Sequence, residues 1–298
     1  MTKIDTFIQC IIKYGKIQNF IINNNTDNID NLRKFHNYIK NKLIITALES
    51  TRAINFLDIA CGKGGDLYKW LTDSKFNKLE YILAFDSHEE SIYSSLKKNN
   101  TYDGAIARFQ NIKKNYKRKM PFINFKKLNV LDKNILSEIN KIDNNKTYNI
   151  VSCQFALHYF CEDDTMLNNV LNVVSKKLKK GGLFIGTATD GDLIKNILNH
   201  GPVDIPLLTI IKKQINNYLF YIKPGNKTSI RQNYFELQGV SSEFYLFKQN
   251  LKEIALKNKL ELIEFKSFYD WYQEYKKEMS IYEMVISFLN FSFIFKKI

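Results

Sequence analysis

Residues Phe56–Asp66 read FLDIACGKGGD, and this stretch decides the fold. An apolar run carries one carboxylate, Asp58, then turns through Gly62, Gly64 and Gly65 into a second, Asp66. Glycines in such a turn let the main chain approach a ligand closely. A dinucleotide-binding fold spaces them as GxGxxG, to seat a pyrophosphate on the next helix. Here the pattern is GxGG with Asp66 directly after it. Phosphate would be repelled by Asp58 and Asp66, whereas a ligand carrying a sulfonium and an ammonium is attracted by them. S-adenosylmethionine is such a ligand. Downstream, the apolar segment YILAFD ends at Asp86, placed to accept hydrogen bonds from two ribose hydroxyls. An acid at a strand end also serves as a helix cap, so the signal lies in loop and acid together, in that order.

Around this centre the chain alternates. AINFLDIA, the glycine turn, helical DLYKWL, apolar YILAFD and helical SHEESIYSSLKK follow one another in an α/β rhythm. FINFKKLNV, YNIVSCQF, a helix Asp163–Leu178, a turn Lys179–Gly182 and the strand LFIGTAT continue it, giving five strands before residue 190. Residues 190–235 lose the rhythm and hold Pro202, Pro206 and Pro224, which suggests a lid or inserted segment. A strand near Glu243–Phe247, a helix Leu251–Asn258, a strand Glu261–Phe265 and the apolar Met284–Phe295, read as terminal core strands, complete an antiparallel closing pair. The first 50 residues form a helical extension broken by the polar run Asn23–Asn28, with Leu32, Phe35, Ile39 and Leu43 on one face.

At 298 residues and 45% hydrophobic content, the chain can build one large domain, or a domain with an insertion, over residues 51–298. Ile8–Ile12 is too short for a signal sequence and Lys13 interrupts it. Met284–Phe295 is broken by Ser287, Asn290 and Ser292 and is too short to span a bilayer. Neither export nor a membrane is expected. Cys10, Cys61, Cys153 and Cys161 are scattered, as are the four histidines, so no zinc site is expected and a reducing compartment fits. The net charge of +14 suits a polyanionic partner, although AT-rich coding gives the same lysine excess.

Four separated stretches resemble the messenger RNA cap guanine-N7 methyltransferase family, across most of the chain. LDIACGKGGDLYKW (Leu57–Trp70) resembles its cofactor loop nearly residue for residue, and SCQFALHYF (Ser152–Phe160) its fourth-strand segment. IDNLRKFHNYIK (Ile29–Lys40) is similar to its N-terminal helix, and IYEMVISF (Ile281–Phe288) to the tail that carries a cap-stacking aromatic. The resemblance implies a Rossmann-like class I methyltransferase. Its sheet would be mostly parallel and seven-stranded, with antiparallel C-terminal strands and helices on both faces. It implies S-adenosylmethionine held by Lys40, Asp58, Ala60, Gly62, Asp86, Asn129, Gln154 and Tyr159, and a cap held by Asn37, Lys63, Lys69, His158, Glu243 and Tyr282. The capped 5′ end of mRNA is the implied substrate. Other capping enzymes and RNA polymerase are candidate partners of a monomer, nuclear in a cell and cytoplasmic in a large DNA virus infection.

These residue types suit the chemistry. Guanine offers donors at N1 and its amino group, which one carboxylate, Glu243, can accept, and aromatic rings such as Tyr159 and Tyr282 can stack on the base. N7 already has a lone pair, so no general base is required and no residue is assigned as acid, base or nucleophile. Each assignment has a plainer reading: solvated charges at Lys63 and Lys69, a core histidine at His158, a strand hydrogen bond at Gln154, a core ring at Tyr282, and a protective edge-strand charge at Glu243. The chain departs from the family in having Ala60 where glycine is usual, which is harmless at an ordinary φ, and Asn129 where an adenine-contacting Asp is usual. Arg108–Lys119, with six basic residues and no acid, is a candidate track for transcript phosphates or a solvated helix face. Alternatives remain a methyltransferase for another RNA or small acceptor, a non-catalytic RNA-binding partner of a capping enzyme, and, most remotely, a nicotinamide-dependent oxidoreductase.

Overall fold

A computed structural model describes residues 30–51, 55–71, 79–95, 97–98, 101–102, 104–116, 119–205, 208–222 and 240–298. Cys10, the run Asn23–Asn28, Lys117, Arg118, Pro206 and Pro224 lie outside the described residues. Helix α1, Asp30–Thr51, buries Leu32, Phe35, Ile39 and Leu43, the face expected from their spacing.

The α/β alternation then runs through β1 (Asn55–Ile59), α2 (Leu67–Leu71), β2 (Tyr81–Asp86), α3 (Glu89–Tyr93), α4 (Ala105–Asn115), β3 (Phe122–Lys127), α5 (Ile135–Asp143), β4 (Tyr148–Gln154), α6 (Asp164–Lys177) and β5 (Leu178–Thr189). After α7 (Gly191–Leu198) come β6 (Val203–Ile205), β7 (Leu208–Lys212), β8 (Asn217–Ile222) and β9 (Ser241–Phe244). The chain ends in α8 (Lys248–Lys257), β10 (Leu260–Ser267), α9 (Phe268–Tyr275), α10 (Ile281–Phe288) and β11 (Asn290–Lys297). A seven-stranded sheet has the order β10-β11-β5-β4-β1-β2-β3, parallel from β5 to β3 and antiparallel at the C-terminal strands. The register pairs Ile59 with Phe85 and Cys153, and Asp86 with Lys127. The carboxyl ends of four neighbouring parallel strands therefore share one edge, the edge at which such sheets bind ligands.

Two expectations need correction. Met284–Phe295 is a helix followed by a strand. Ser280 and Glu283 cap α10 reciprocally, side chain to main chain in both directions, and this fixes a helical start that the apolar composition of the segment obscured. Lys179–Gly182 is no turn between elements. These residues lie inside the long strand β5, where pairing jumps from Tyr148–Leu178 to Ile150–Leu183 and Gly181 takes φ +78°. The region after residue 190 also has regular structure, since β6 to β9 form a four-stranded antiparallel sheet ordered β9-β8-β7-β6.

The described residues divide into two compact units. One draws on the described residues within Met1–Ile39, Ala188–Leu251 and Lys266–Phe291, the other on those within Lys40–Thr187, Lys252–Phe265 and Ser292–Ile298. In the first, Leu32, Ile194, Leu208, Tyr218, Val285 and Ile286 belong to one buried cluster. Glu283, 3% exposed, accepts from the main-chain N–H groups of Asn31 and Leu32 through Oε1 and from that of Ser280 through Oε2. One buried carboxylate thus caps two helices whose N-terminal N–H groups have no partner of their own. In the second unit the buried strands β1, β2 and β4 form the centre of the core.

Candidate active site

The glycine turn leaves β1 through three residues with positive φ: Ala60 at +56°, Gly62 at +52° and Gly64 at +71°. Asp86 fastens it from the end of β2. Gly62 N–H donates to its Oδ2 at 2.9 Å, His88 N–H to its Oδ1 at 2.8 Å, and Cys61 N–H to the Phe85 carbonyl at 3.0 Å. Each carboxylate oxygen has two acceptor positions, so these contacts still leave capacity for two hydroxyls. The two sides of the turn differ. A Cβ on Gly62 or Gly65 would meet nothing within 4 Å, whereas one on Gly64 would lie 2.6 Å from Leu67 Cδ1 and 3.2 Å from Ala105 Cβ. An open main-chain cradle beside a strand-end carboxylate fits a nucleoside ligand such as S-adenosylmethionine.

The condition of an ordinary φ at Ala60 is not met, since its φ is +56°. The left-handed conformation costs a non-glycine residue roughly 1–2 kcal/mol, part of which glycine recovers despite its freer unfolded chain. Ala60→Gly is therefore expected to stabilise the protein by about 0.5–1 kcal/mol. Urea unfolding checks this, and a lowered midpoint would refute the strain.

Three charged groups meet below the turn. Lys40 Nζ lies 2.7 Å and Lys69 Nζ 2.6 Å from the same Asp66 oxygen, and Lys69 also donates to the Gly65 carbonyl at 3.2 Å. Burial opposes ionisation of Asp66, but the two ammonium groups override it and hold its carboxyl well below the usual range. Asp58, 3% exposed, is the opposite case. Burial, then the charge of Asp66, pushes its carboxyl well above the ordinary value, against weaker help from a Ser152 hydrogen bond and from Lys40. Lys40 and Lys69, assigned to cofactor and cap respectively, thus share one carboxylate. Asp66 was missed as their hub, although its i, i+3 spacing to Lys69 was readable.

On the same sheet edge, Gln154 donates to Ser152 Oγ at 3.2 Å and accepts from Thr187 Oγ1 at 3.1 Å, so its amide is tied to its own strand and to β5. His158 is buried at 4% exposure, its ring 4.3 Å from that of the partly exposed Tyr159. Asn129 follows β3, and its Oδ1 accepts from Leu131 N–H at 3.1 Å, shaping its own turn. Lys63 is partly exposed on the turn.

The other unit holds the remaining assignments. Asn37 is partly exposed on α1, next to the buried His36, which pairs with Ser287 Oγ at 3.0 Å. Tyr282 lies in the first turn of α10, not in a strand, and packs at the margin of the buried cluster. Glu243 does sit on an edge strand, β9, but is 5% exposed. Its Oε2 accepts from Tyr218 OH at 2.9 Å and Thr189 Oγ1 at 3.2 Å, and its Oε1 from Ser241 Oγ at 2.9 Å. A solvated protective charge would have no such setting.

Comparison with known proteins bears on the family and the fold. Residues 12–289 match the profile of the mRNA (guanine-N(7))-methyltransferase domain. A probable mRNA-capping enzyme of Acanthamoeba polyphaga mimivirus is 28% identical over 290 residues, covering 89% of this chain and 24% of that protein. The mRNA cap guanine-N(7) methyltransferase 1 of Arabidopsis thaliana is 28% identical over 272 residues, covering 86% of this chain and 66% of that protein. This chain therefore spans less than two thirds of either relative. Among solved structures, an S-adenosylmethionine-dependent methyltransferase from Clostridium acetobutylicum shares the fold, with a TM-score of 0.50 and 14% identity over 86% of this chain and 89% of that one. The chain belongs to the mRNA (guanine-N(7))-methyltransferase family.

Proposed function

We propose that this chain moves a methyl group from S-adenosylmethionine to N7 of the guanine that caps messenger RNA. The observation that carries the reading is the open turn held between Asp86 and the Lys40–Asp66–Lys69 cluster, on the carboxyl edge of the parallel strands. The cofactor supplies an electrophilic methyl on a sulfonium. Asp86 takes the ribose hydroxyls, the Ala60–Gly62 main chain and Asp58 line the methionine portion, Lys40 faces its carboxylate, and Asn129, Gln154 and Tyr159 flank the adenosine. Cap contacts are assigned to Asn37, Lys63, Lys69, His158, Glu243 and Tyr282. With a nucleophile that needs no deprotonation, the residues work by alignment, which replaces orientational entropy lost in free encounter. In this reading the methyltransferase domain covers residues 51–298, with about 190–235 as a lid or inserted segment, after the extension 1–50. It extends to other capping enzymes and RNA polymerase as partners of a monomer, in the nucleus of a cell or the cytoplasm a large DNA virus uses. No described helix is long and apolar enough to cross a membrane.

The test is transfer of labelled methyl to GpppG, with digestion and chromatography of the product. N7-methylguanosine is expected. Label on ribose, or cofactor binding without transfer, would overturn the reading in favour of another acceptor or a non-catalytic partner.

Asp58 gives this reading a pH signature. Its carboxyl sits well above the ordinary range in the free protein, and a cation bound beside it favours the charged form. Binding then releases a proton, so cofactor affinity should rise as pH climbs from the ordinary carboxylate range through the raised Asp58 value. Calorimetry in buffers of different ionisation heat measures the released proton. Asp58→Asn should abolish the release; its persistence would show that another group titrates.

A further inference from the structure

We infer that the face formed by α2 and α4 binds the single-stranded RNA immediately following the cap, with Tyr68 as a stacking platform and Lys113, Lys114 and Lys119 as phosphate contacts. This rests on the cap reading above and extends it from the guanine to the transcript.

The charge is one-sided. Between Gly104 and Leu131 the sequence has eight basic residues and no acidic one. Lys113, Lys114 and Lys119 are all exposed. On the neighbouring α3, Glu89 pairs with Lys127 at 2.8 Å and Glu90 is an exposed acid. Such a field favours a polyanion over a protein partner of mixed charge.

Aromatic rings interleave with the charge. Tyr68, the second residue of α2, is 49% exposed. It meets Tyr116, just beyond α4, edge to face at 6.5 Å between centroids, so the pair bridges the two helices. Exposed aromatic rings beside lysines are the components of single-strand binding, in which bases stack without sequence preference while cations follow the backbone. A duplex keeps its bases stacked on one another and has no use for the ring.

The face is joined to the candidate site. Ala105, the first residue of α4, packs against Gly64 of the glycine turn, and Tyr68 directly precedes Lys69 of the ion-pair cluster. At 1.5 Å per residue, Lys113 and Lys114 stand roughly 12–14 Å along the helix from Ala105. A few nucleotides of extended strand cross that distance. A cap contacted by Lys63 and Lys69 would deliver its transcript to this face.

The experiment uses the full chain and two probes. The first is a fluorescent, uncapped ten-nucleotide single strand, titrated at several salt concentrations. Replacing Lys113, Lys114 and Lys119 with Gln should reduce the slope of log affinity against log salt by about 2, and Tyr68→Ala should weaken binding about tenfold at fixed salt. The second is methyl transfer to GpppG compared with a capped ten-nucleotide RNA. For the unaltered protein kcat/KM should be higher on the long RNA, and the variants should lose that advantage while keeping their rate on GpppG. Equal affinity of variant and unaltered protein for the single strand, or equal loss on GpppG and long RNA, overturns the proposal. Because the uncapped probe needs no transfer chemistry, an absence of cap methylation would sink the proposed function without deciding this one.

Discussion

Replacing Glu243 with Gln is expected to lower kcat/KM for methylation of GpppG by roughly 3–5 kcal/mol. Guanine would present two donors to that side chain, and the amide turns one acceptor into a donor, so repulsion adds to the loss of charge-assisted hydrogen bonds. The setting sharpens the expectation. Oε2 already accepts from Tyr218 and Thr189, and Oε1 from Ser241. For Glu243 to read guanine with both oxygens, the hydroxyls on Oε2 must yield one position. Hydroxyl groups can do this because each both donates and accepts. The same contacts mean that the substitution also touches stability, contrary to what an isolated recognition residue would suggest. A cost of about 1–2 kcal/mol is expected, since the hydroxyls can turn to accept from the amide. Cofactor affinity should not change. The decisive measurement is therefore the split between activity and stability across Glu243→Gln and Tyr218→Phe. If Glu243 reads guanine, Gln loses activity far beyond its stability cost while Phe loses little of either. If both variants lose stability and retain the rate on GpppG, the carboxylate only ties β9 to its neighbours.

What could be read in advance followed from physical regularity. The buried face of α1 has helical period, and the parallel strands are apolar runs ending at Asp86 and Gln154, so both the fold and the ligand-binding edge were visible. The C-terminal segment was not, because Met284–Phe288 is buried on every side and no period survives. The local capping pair, Ser280 with Glu283, was the remaining signal for a helix there. Charge partners were hidden for another reason. Lys40 and Asp66 are far apart in sequence, and their 2.7 Å contact depends on α1 meeting the glycine turn. The conformation of Ala60 was concealed by its side chain, since only a glycine would have announced a positive φ.

Asp86→Ala should weaken S-adenosylmethionine binding by roughly 2–3 kcal/mol, about 30- to 140-fold, if two ribose hydroxyls lose their acceptor. Weaker binding alone would not identify the ribose. The same carboxylate holds the Gly62 and His88 N–H groups, so alanine also releases the turn that forms the cradle. The two effects separate in a double-mutant cycle, with the ligand supplying the second change. In the unaltered protein, a cofactor analogue lacking one ribose hydroxyl should bind more weakly than the parent by at least 1 kcal/mol. In Asp86→Ala that difference should vanish, because the hydroxyl has no carboxylate left to lose. Loosening of the turn would instead weaken both ligands equally and preserve the difference between them. Calorimetric titration of both ligands against both proteins gives the four affinities required. A variant that still distinguishes the analogue would reduce Asp86 to an anchor of the glycine turn and move ribose recognition to another residue.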